Sequence, residues 1–333
     1  MDELKGIAIL CIIIYHAGAV FHGSPNHFLF GQYGVDLFLV ISGALLTIYS
    51  SSKSPLQFLR ARFWRIAPAY WVAYTLYLFC GLHFLGKSYP GYNVAIHYLG
   101  LQTAFGAMGF DVTAAFWFMT LLVYLYPIFA FTKQWHGKME HVLLIGGVAS
   151  IAAGAWFRWV ITDEVVLGYF AMRIPAFFFG IIIGQFLKHG FMDVGITWWQ
   201  AIVMYLIAIE WSALSLNANG IIYAAGITVL YFFAVRPLAV FLGLPRLLRV
   251  FAFLGFYSLE IFVFHQPLLE PYARMAIRAL FGTVNPGHLA LLSGIVVAIA
   301  VTTALAVVIR KILDLVLRQL SLTTRSSPAH PAR

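Results

Sequence analysis

Charged side chains are scarce in this chain of 333 residues, since only 10% are Asp, Glu, Lys or Arg while 62% are hydrophobic. A soluble domain normally carries about 25% charged residues, so the composition argues against a soluble enzyme. Cysteine is equally rare: Cys11 and Cys80 both lie in apolar runs, which favours buried free thiols over a disulfide or a metal site. The CxxC, HExxH, phosphate-loop and dinucleotide motifs are absent as well, so we predict no metal and no tightly bound cofactor.

Long apolar runs are abundant instead, and a run of about 18 or more residues is typical of a membrane-spanning helix. The runs lie at residues 5–22, 33–50, 67–85, 116–132, 141–160, 168–187, 197–214, 220–240, 251–272 and 288–317. They predict an all-α protein, a polytopic integral membrane helix bundle with about ten transmembrane helices. The stretch 92–105 is short and interrupted by Gly and His, which is typical of an interfacial or re-entrant segment.

The net charge of +9 follows the predicted topology and does not indicate a nucleic-acid partner. With a cytoplasmic N-terminus, most of the 21 Lys and Arg residues fall in cytoplasmic segments, as the positive-inside rule requires. Both termini are then cytoplasmic, with a transmembrane domain at 1–320 and a disordered tail at 321–333 that is rich in Ser, Thr and Pro. A cleaved signal peptide is disfavoured because residues 1–5 are not basic.

His16 is the first candidate for chemistry, because an ionisable group deep in an apolar helix is costly and is a functional candidate by default. Lys5 precedes it by about three helical turns, so both side chains lie on one face about 16 Å apart. An imidazole is suited to removing a proton from a hydroxyl group as a general base. The alternative is a histidine that only packs and hydrogen-bonds in the core.

Asp36 lies near the outer end of the second predicted span. Antiparallel packing of the first two spans brings it towards His16, so it is predicted to orient the imidazole or to stabilise its protonated form. A helix N-cap is the alternative role. Ser42 and Gly43, further along the same span, are predicted to allow close helix contact.

Arg62 and Arg65 face the same way on a helix, at the level predicted for Lys5. Ser54 is predicted to cap a short amphipathic helix here, which ends before Pro68 opens the third span. Together the three cations are suited to the phosphates of a cytoplasmic donor. Topology and attraction to anionic lipid explain basic residues at this face almost as well.

Arg173 and His265 also fall inside predicted spans. Arg173 requires a counter-charge or water, and Asp36 is a suitable partner because both lie toward the outer side. Glu210 and Glu260 are embedded carboxyls, which are either proton-relay groups of a transporter or neutral, hydrogen-bonded side chains.

In chain order, these segments resemble the motifs of the acyltransferase family 3 membrane proteins. The motifs are Lys5-x10-His16, residues 34–43 (Gly-Val-Asp-Leu-Phe-Leu-Val-Ile-Ser-Gly), Arg62-x-x-Arg65 followed by Ile66-x-Pro68, Phe116-Trp117-Phe118-Met119, Arg173-x-Pro175-x-Phe177, and residues 254–267, which end in His265-Gln266-Pro267. The chain departs from the family pattern where Lys5 replaces an Arg, which loses a bidentate fork, and where Met119 replaces a Leu. No acidic residue follows Met119, although many members carry one.

The resemblance implies an enzyme that transfers an acyl group, often acetyl, from cytoplasmic acyl-coenzyme A as co-substrate. The implied acceptor is a hydroxyl of an envelope carbohydrate or lipid-linked glycan, and the implied location is the bacterial inner membrane. It also implies His16 as the central catalytic residue, with Asp36 in support, and a loop pair at Arg62 and Arg65. The other embedded residues, predicted to bind substrate or to serve the structure, are Arg173, His265 and Trp117.

Two rival hypotheses remain for the same polar residues. In the first, they line the pathway of a transporter or flippase of glycans or acylated lipids. In the second, the protein is a structural or partner-binding membrane subunit without turnover. Loss of a thioester that depends on an acceptor favours the enzyme, whereas movement of a substrate without chemical change favours the transporter.

Overall fold

The structure is a computed structural model, and it describes residues 1–22, 31–50, 53–84, 86–109, 116–160, 170–190, 226–228, 230–268 and 288–325. Within those ranges the α-helices are α1 (Asp2–His22), α2 (Gly34–Ser50), α3 (Pro55–Phe84), α4 (Gly91–Tyr98), α5 (Trp117–Thr132), α6 (Met139–Val160), α7 (Ile174–His189), α8 (Arg236–Phe241), α9 (Pro245–Phe256), α10 (Ser258–Leu268) and α11 (His288–Arg325). Short 3-10 segments lie at Gln102–Gly109, Lys133–Trp135 and Ala171–Arg173, and a π-helical turn lies at Tyr231–Val235. Because the described ranges contain no β-strand element, the prediction of an all-α protein is confirmed there.

Two helices are long and apolar enough to cross a membrane: Gly31–Tyr49, which includes most of α2, and Met139–Trp156 within α6. A third crossing results if α9 and α10, which meet at an angle of 67°, form one broken span. The prediction that helices cross the membrane is therefore confirmed. The predicted number of ten is not, since the described residues contain two or three such helices. The predicted span 197–214 lies outside the described residues, as does part of 220–240.

Two helices run past the boundaries that the sequence predicted. Ser54 caps α3 as expected, because the backbone N–H groups of Ser54 and Gln57 each donate to the other's side chain, at 3.1 and 3.3 Å. The predicted break at Pro68 is wrong, since α3 continues through it to Phe84. Proline removes one backbone hydrogen bond, but the next turn of α3 buries apolar side chains in the core and the helix persists. At the other end of the chain, α11 continues beyond the predicted boundary at 320 to Arg325, and residues 326–333 lie outside the described part.

The stretch 92–105 forms two short helical pieces that pack against α3. The Tyr70 hydroxyl of α3 donates to the backbone oxygen of His97, and the indole of Trp71 donates to the backbone oxygen of Tyr98 at 2.8 Å. The amide of Gln102 donates to the backbone oxygen of Phe116 at 2.5 Å, so the segment also contacts the start of α5. The first two bonds satisfy backbone oxygens at the end of α4, and the interfacial or re-entrant placement of the stretch stays a prediction.

Glycines set the contacts of the helices that carry the candidate residues. A Cβ atom added to Gly43 of α2 would overlap the backbone of α7, and one added to Gly180 of α7 would overlap the backbone of α2. In the same way, Gly6 of α1 and Gly255 of α9 each approach the backbone of the opposite helix. The predicted close contact at Gly43 is confirmed, and small residues are the usual basis of such contacts in membranes.

We expect Gly180→Ala to lower the free energy of unfolding by about 1–3 kcal/mol, because the added methyl group forces α2 and α7 apart. Gly91→Ala is the matched control, since a Cβ atom there meets no neighbouring atom within 4 Å. Thermal unfolding of both purified variants in detergent measures the difference. Equal midpoints for the two variants would contradict the close contact.

Candidate active site

The three cations that the sequence predicted at the same depth in the membrane line a single cavity. The cavity has a volume of about 160 Å³ and lies between α1, α2, α3, α5, α9 and α10. Lys5, Arg62 and Arg65 line it together, along with Ser42 and Ser258. The sequence predicted only a packing role for Ser42, because its spacing alone does not show that it faces a cavity. The site therefore combines a strongly positive wall with hydroxyl groups.

Local contacts hold each of the three cations in place. The ammonium of Lys5 lies 2.9 Å from the carboxylate of Asp2, one turn earlier in α1. The guanidinium of Arg62 stacks over the ring of Phe58, with 5.4 Å from its central carbon to the ring centroid. The remaining cation, Arg65, forms a salt bridge across helices. The positive charge is thus oriented by the protein before any ligand arrives.

Glu260 is the centre of a buried ion cluster beside this cavity. Its carboxylate is fully buried and accepts hydrogen bonds from Arg65 at 2.6 Å and from Arg310 at 2.9 Å. Arg310 also lies 3.3 Å from the exposed carboxylate of Asp314. The sequence left Glu260 open as a proton-relay group or as a neutral, hydrogen-bonded side chain. The structure shows it hydrogen-bonded, but in salt bridges to two arginines, which neither interpretation included. Sequence reasoning missed Arg310, because it treated that residue only as part of the cytoplasmic charge pattern.

His16 lies near the end of α1 and contacts a second histidine. Its ring centroid is 4.9 Å from that of His265 in α10, with the ring planes inclined by 50°. His265 is fully buried and packs on Phe262 at 5.5 Å between ring centroids. Phe262 also lines the cationic cavity, so it connects the wall of that cavity with His265, and His265 in turn contacts His16. The spacing of the two residues in the sequence gave no sign of this contact.

Asp36 and Arg173 form the buried ion pair that the sequence predicted. Both side chains are almost inaccessible, and Arg173 also donates to the backbone oxygen of Gln32 at 3.4 Å. The guanidinium of Arg173 lies over the ring of Trp117, 5.6 Å from its centroid. Among the described residues Asp36 therefore hydrogen-bonds Arg173 and not His16. Asp36 lies inside the first turn of α2 and is not the N-cap. The catalytic role of Asp36 stays a prediction. Glu210, the other embedded carboxyl of the sequence analysis, lies outside the described residues.

Comparison with known proteins decides the family. The family model named Acyltransferase domain matches residues 1–310, which is nearly the whole chain. The chain belongs to this acyltransferase family. It is accordingly an enzyme that transfers acyl groups other than aminoacyl groups, and it is embedded in a membrane.

Two relatives of this acyltransferase come from rhizobia. It is 26% identical over 311 residues to the exopolysaccharide production protein ExoZ of Rhizobium meliloti (strain 1021), covering 86% of this chain and 91% of ExoZ. It is 34% identical over 99 residues to Protein 2 in picA locus of Rhizobium radiobacter, covering 27% of this chain and 50% of that protein. No solved structure matches the acyltransferase.

We expect Asp36→Asn to destabilise the acyltransferase by about 3–5 kcal/mol, because it leaves the Arg173 guanidinium buried without a counter-charge. Asp2→Asn removes the exposed partner of Lys5 and is the matched control, with an expected loss of about 0–1 kcal/mol. The double variant Asp36→Leu/Arg173→Met is expected to recover most of the lost stability. Thermal unfolding in detergent tests all three, and equal losses for Asp36→Asn and Asp2→Asn would exclude a structural ion pair.

We expect Glu260→Gln to cost about 1.5–3 kcal/mol, since hydrogen bonds to two guanidinium groups lose their charge. Asp314→Asn changes the exposed partner of the same Arg310 and serves as the control. Chemical denaturation with a fluorescence readout compares the two. A Glu260→Gln variant no less stable than Asp314→Asn would contradict the central place of Glu260 in the cluster.

Proposed function

We propose that the protein transfers an acyl group, in the simplest case acetyl, from cytoplasmic acyl-coenzyme A to a hydroxyl group of an exopolysaccharide or its lipid-linked glycan precursor. The observation that carries this proposal is the cavity lined by Lys5, Arg62 and Arg65, with the His16–His265 contact behind its wall. The name of ExoZ supports a polysaccharide acceptor. The proposed location is the bacterial inner membrane, with the transmembrane domain at 1–320 and both termini in the cytoplasm.

The cationic cavity is suited to the phosphates of coenzyme A. Guanidinium groups donate paired, charge-assisted hydrogen bonds to phosphate oxygens, and these bonds are about twice as strong as neutral ones. Lys5 adds a compact charge in place of an arginine fork. Glu260, a buried carboxylate beside the cavity, is shared between Arg65 and Arg310. The carboxylates of Asp2 and Asp314, which pair with Lys5 and Arg310, are exposed, so water screens them and they offset the cations only in part. The cavity wall therefore keeps a positive field that attracts an anionic donor.

The thioester arm of the donor points from the cavity along α1 toward His16, about three helical turns deeper than Lys5. His16 removes the proton of the acceptor hydroxyl as a general base, while the hydroxyl oxygen attacks the thioester carbonyl carbon. The carbon–sulfur bond then breaks, and the thiolate of coenzyme A takes the proton from His16. The products are the acylated acceptor and free coenzyme A, and His16 returns to its initial form.

Asp36 supports His16 by holding the start of α2 against α1. The ion pair with Arg173 fixes Asp36, and two residues earlier Gly34 approaches the backbone of Ala8 in α1 too closely for a side chain. Trp117 stacks against the same guanidinium and restricts its position. These contacts keep the helix that carries His16 at a constant distance from its neighbours, which general-base catalysis requires.

We expect His16→Ala to lower acyl transfer by about 10²–10⁴-fold, the usual contribution of a general base. His189→Ala, at the exposed end of α7, is the control and should keep full activity. The assay uses protein in lipid nanodiscs, labelled acyl-coenzyme A and an exopolysaccharide fragment, with the acylated product measured by mass spectrometry. Undiminished transfer by folded His16→Ala would exclude the role of His16. Glycan that crosses a vesicle membrane without acylation would instead favour the transporter.

A further inference from the structure

His265 is held in one tautomer by its own helix. Its Nδ1 lies 2.5 Å from the backbone oxygen of Phe262. A carbonyl oxygen only accepts hydrogen bonds, so in the neutral ring Nδ1 carries the proton and Nε2 has a free lone pair. The backbone bond thus decides which nitrogen of this histidine acts as an acceptor.

The Nε2 acceptor of His265 is buried and has no hydrogen-bond partner among the described residues. Buried polar atoms are nearly always paired, because an unpaired one loses its hydration without compensation. A phenylalanine would fill the same space, next to Phe262, without this cost. An imidazole at this position therefore requires an explanation other than packing.

The ring of His16, on α1, contacts the ring of His265, with 4.9 Å between the ring centroids. Catalytic hydrogen bonds are often long or poorly aligned without substrate and shorten in the reactive complex. As a general base, His16 takes the proton on one ring nitrogen, while its other nitrogen already carries the N–H that can face His265. In the imidazolium formed during acyl transfer this N–H shares the positive charge and donates a stronger, charge-assisted hydrogen bond. The contact is thus best suited to the charged state of His16, which exists only during the reaction.

We propose that His265 is a positioning residue for His16, whose Nε2 accepts a hydrogen bond from the His16 imidazolium. This inference rests on the proposed function. When His16 takes the proton of the acceptor hydroxyl, its ring becomes cationic, and the N–H on the side of α10 donates to Nε2 of His265. The proton taken from the acceptor leaves on the thiolate of coenzyme A, so His265 itself gains and loses no proton. His265 orients the His16 ring and stabilises its charge.

The ion cluster of Glu260 fixes the helix on which His265 lies. Glu260 is in the first turn of α10 and binds Arg65 of α3 and Arg310 of α11. His265 follows on the same helix, between one and two turns further along. The position of the acceptor nitrogen relative to α1 is thus set by charged contacts with two other helices.

The test compares His265→Phe, His265→Gln and His265→Ala with wild-type protein in the acyl-transfer assay. We expect His265→Phe to lower kcat by about 10- to 100-fold, as for the loss of one hydrogen bond to a charged group, with the KM for acyl-coenzyme A unchanged. His265→Gln retains an acceptor oxygen and should keep more activity than His265→Phe. In His265→Ala, added imidazole should restore kcat, whereas pyrazole, a ring of the same shape but a much weaker base, should not.

His136→Ala is the control for the loss of a buried histidine, since His136 hydrogen-bonds Thr132 at 2.9 Å, outside the proposed site. Size-exclusion chromatography confirms that each variant is folded before its activity is compared. Full kcat in folded His265→Phe, or equal restoration of His265→Ala by imidazole and pyrazole, would overturn the proposal. Wild-type protein without acyl transfer would instead refute the proposed function, so the two failures are distinguishable.

Discussion

Burying a charged group without a partner costs several kcal/mol, and this constraint organises the polar part of the protein. Glu260 and Asp36 are the two most deeply buried carboxylates in the described chain, and each is met by arginine from another helix. Removing one partner leaves a charge that the apolar surroundings cannot solvate. Helices α2, α3, α7, α10 and α11 are therefore connected through two ion clusters, and their relative positions are tied to the pairing of charge.

The two clusters leave different amounts of net charge. The Asp36–Arg173 pair has no net charge and lies against Trp117. It therefore fixes the relative positions of its helices and adds little to the electrostatic field. The Glu260 cluster has one buried carboxylate for two guanidiniums, and its second carboxylate, Asp314, is exposed and screened by water. Lys5, whose partner Asp2 is also exposed, and Arg62 add positive charge nearby. The charge balance thus distinguishes the buried Asp36–Arg173 pair from the positive cavity, which is the proposed donor site.

Much of this arrangement could be predicted from residue type and spacing. The three-turn separation of Lys5 and His16, the shared face of Arg62 and Arg65 and the pairing of Asp36 with Arg173 all follow from helix geometry and the cost of buried charge. The continuation of α3 through Pro68 could not be predicted, because tertiary packing outweighed the local preference for a break.

The contacts of His265 with His16 and of Glu260 with Arg310 could not be predicted from the sequence either. Each joins residues on two different helices, and helix periodicity says which face a residue occupies but not which helix faces it. Close approach of α1 and α9 at Gly6 and Gly255, where a side chain would overlap the opposite backbone, is a packing feature of the same kind.

The 67° bend between α9 and α10 has an electrostatic consequence of its own. The bend begins a new helix at Ser258, at the wall of the cationic cavity, in the interior of the protein. The amino end of a helix carries a partial charge of roughly +0.5 from its aligned peptide groups. The carboxyl end of α9, at Gly255 and Phe256, lines the same cavity and carries the opposite partial charge. The main chain therefore places a fixed local dipole at the cavity wall, which neither proton loss nor replacement of a side chain removes.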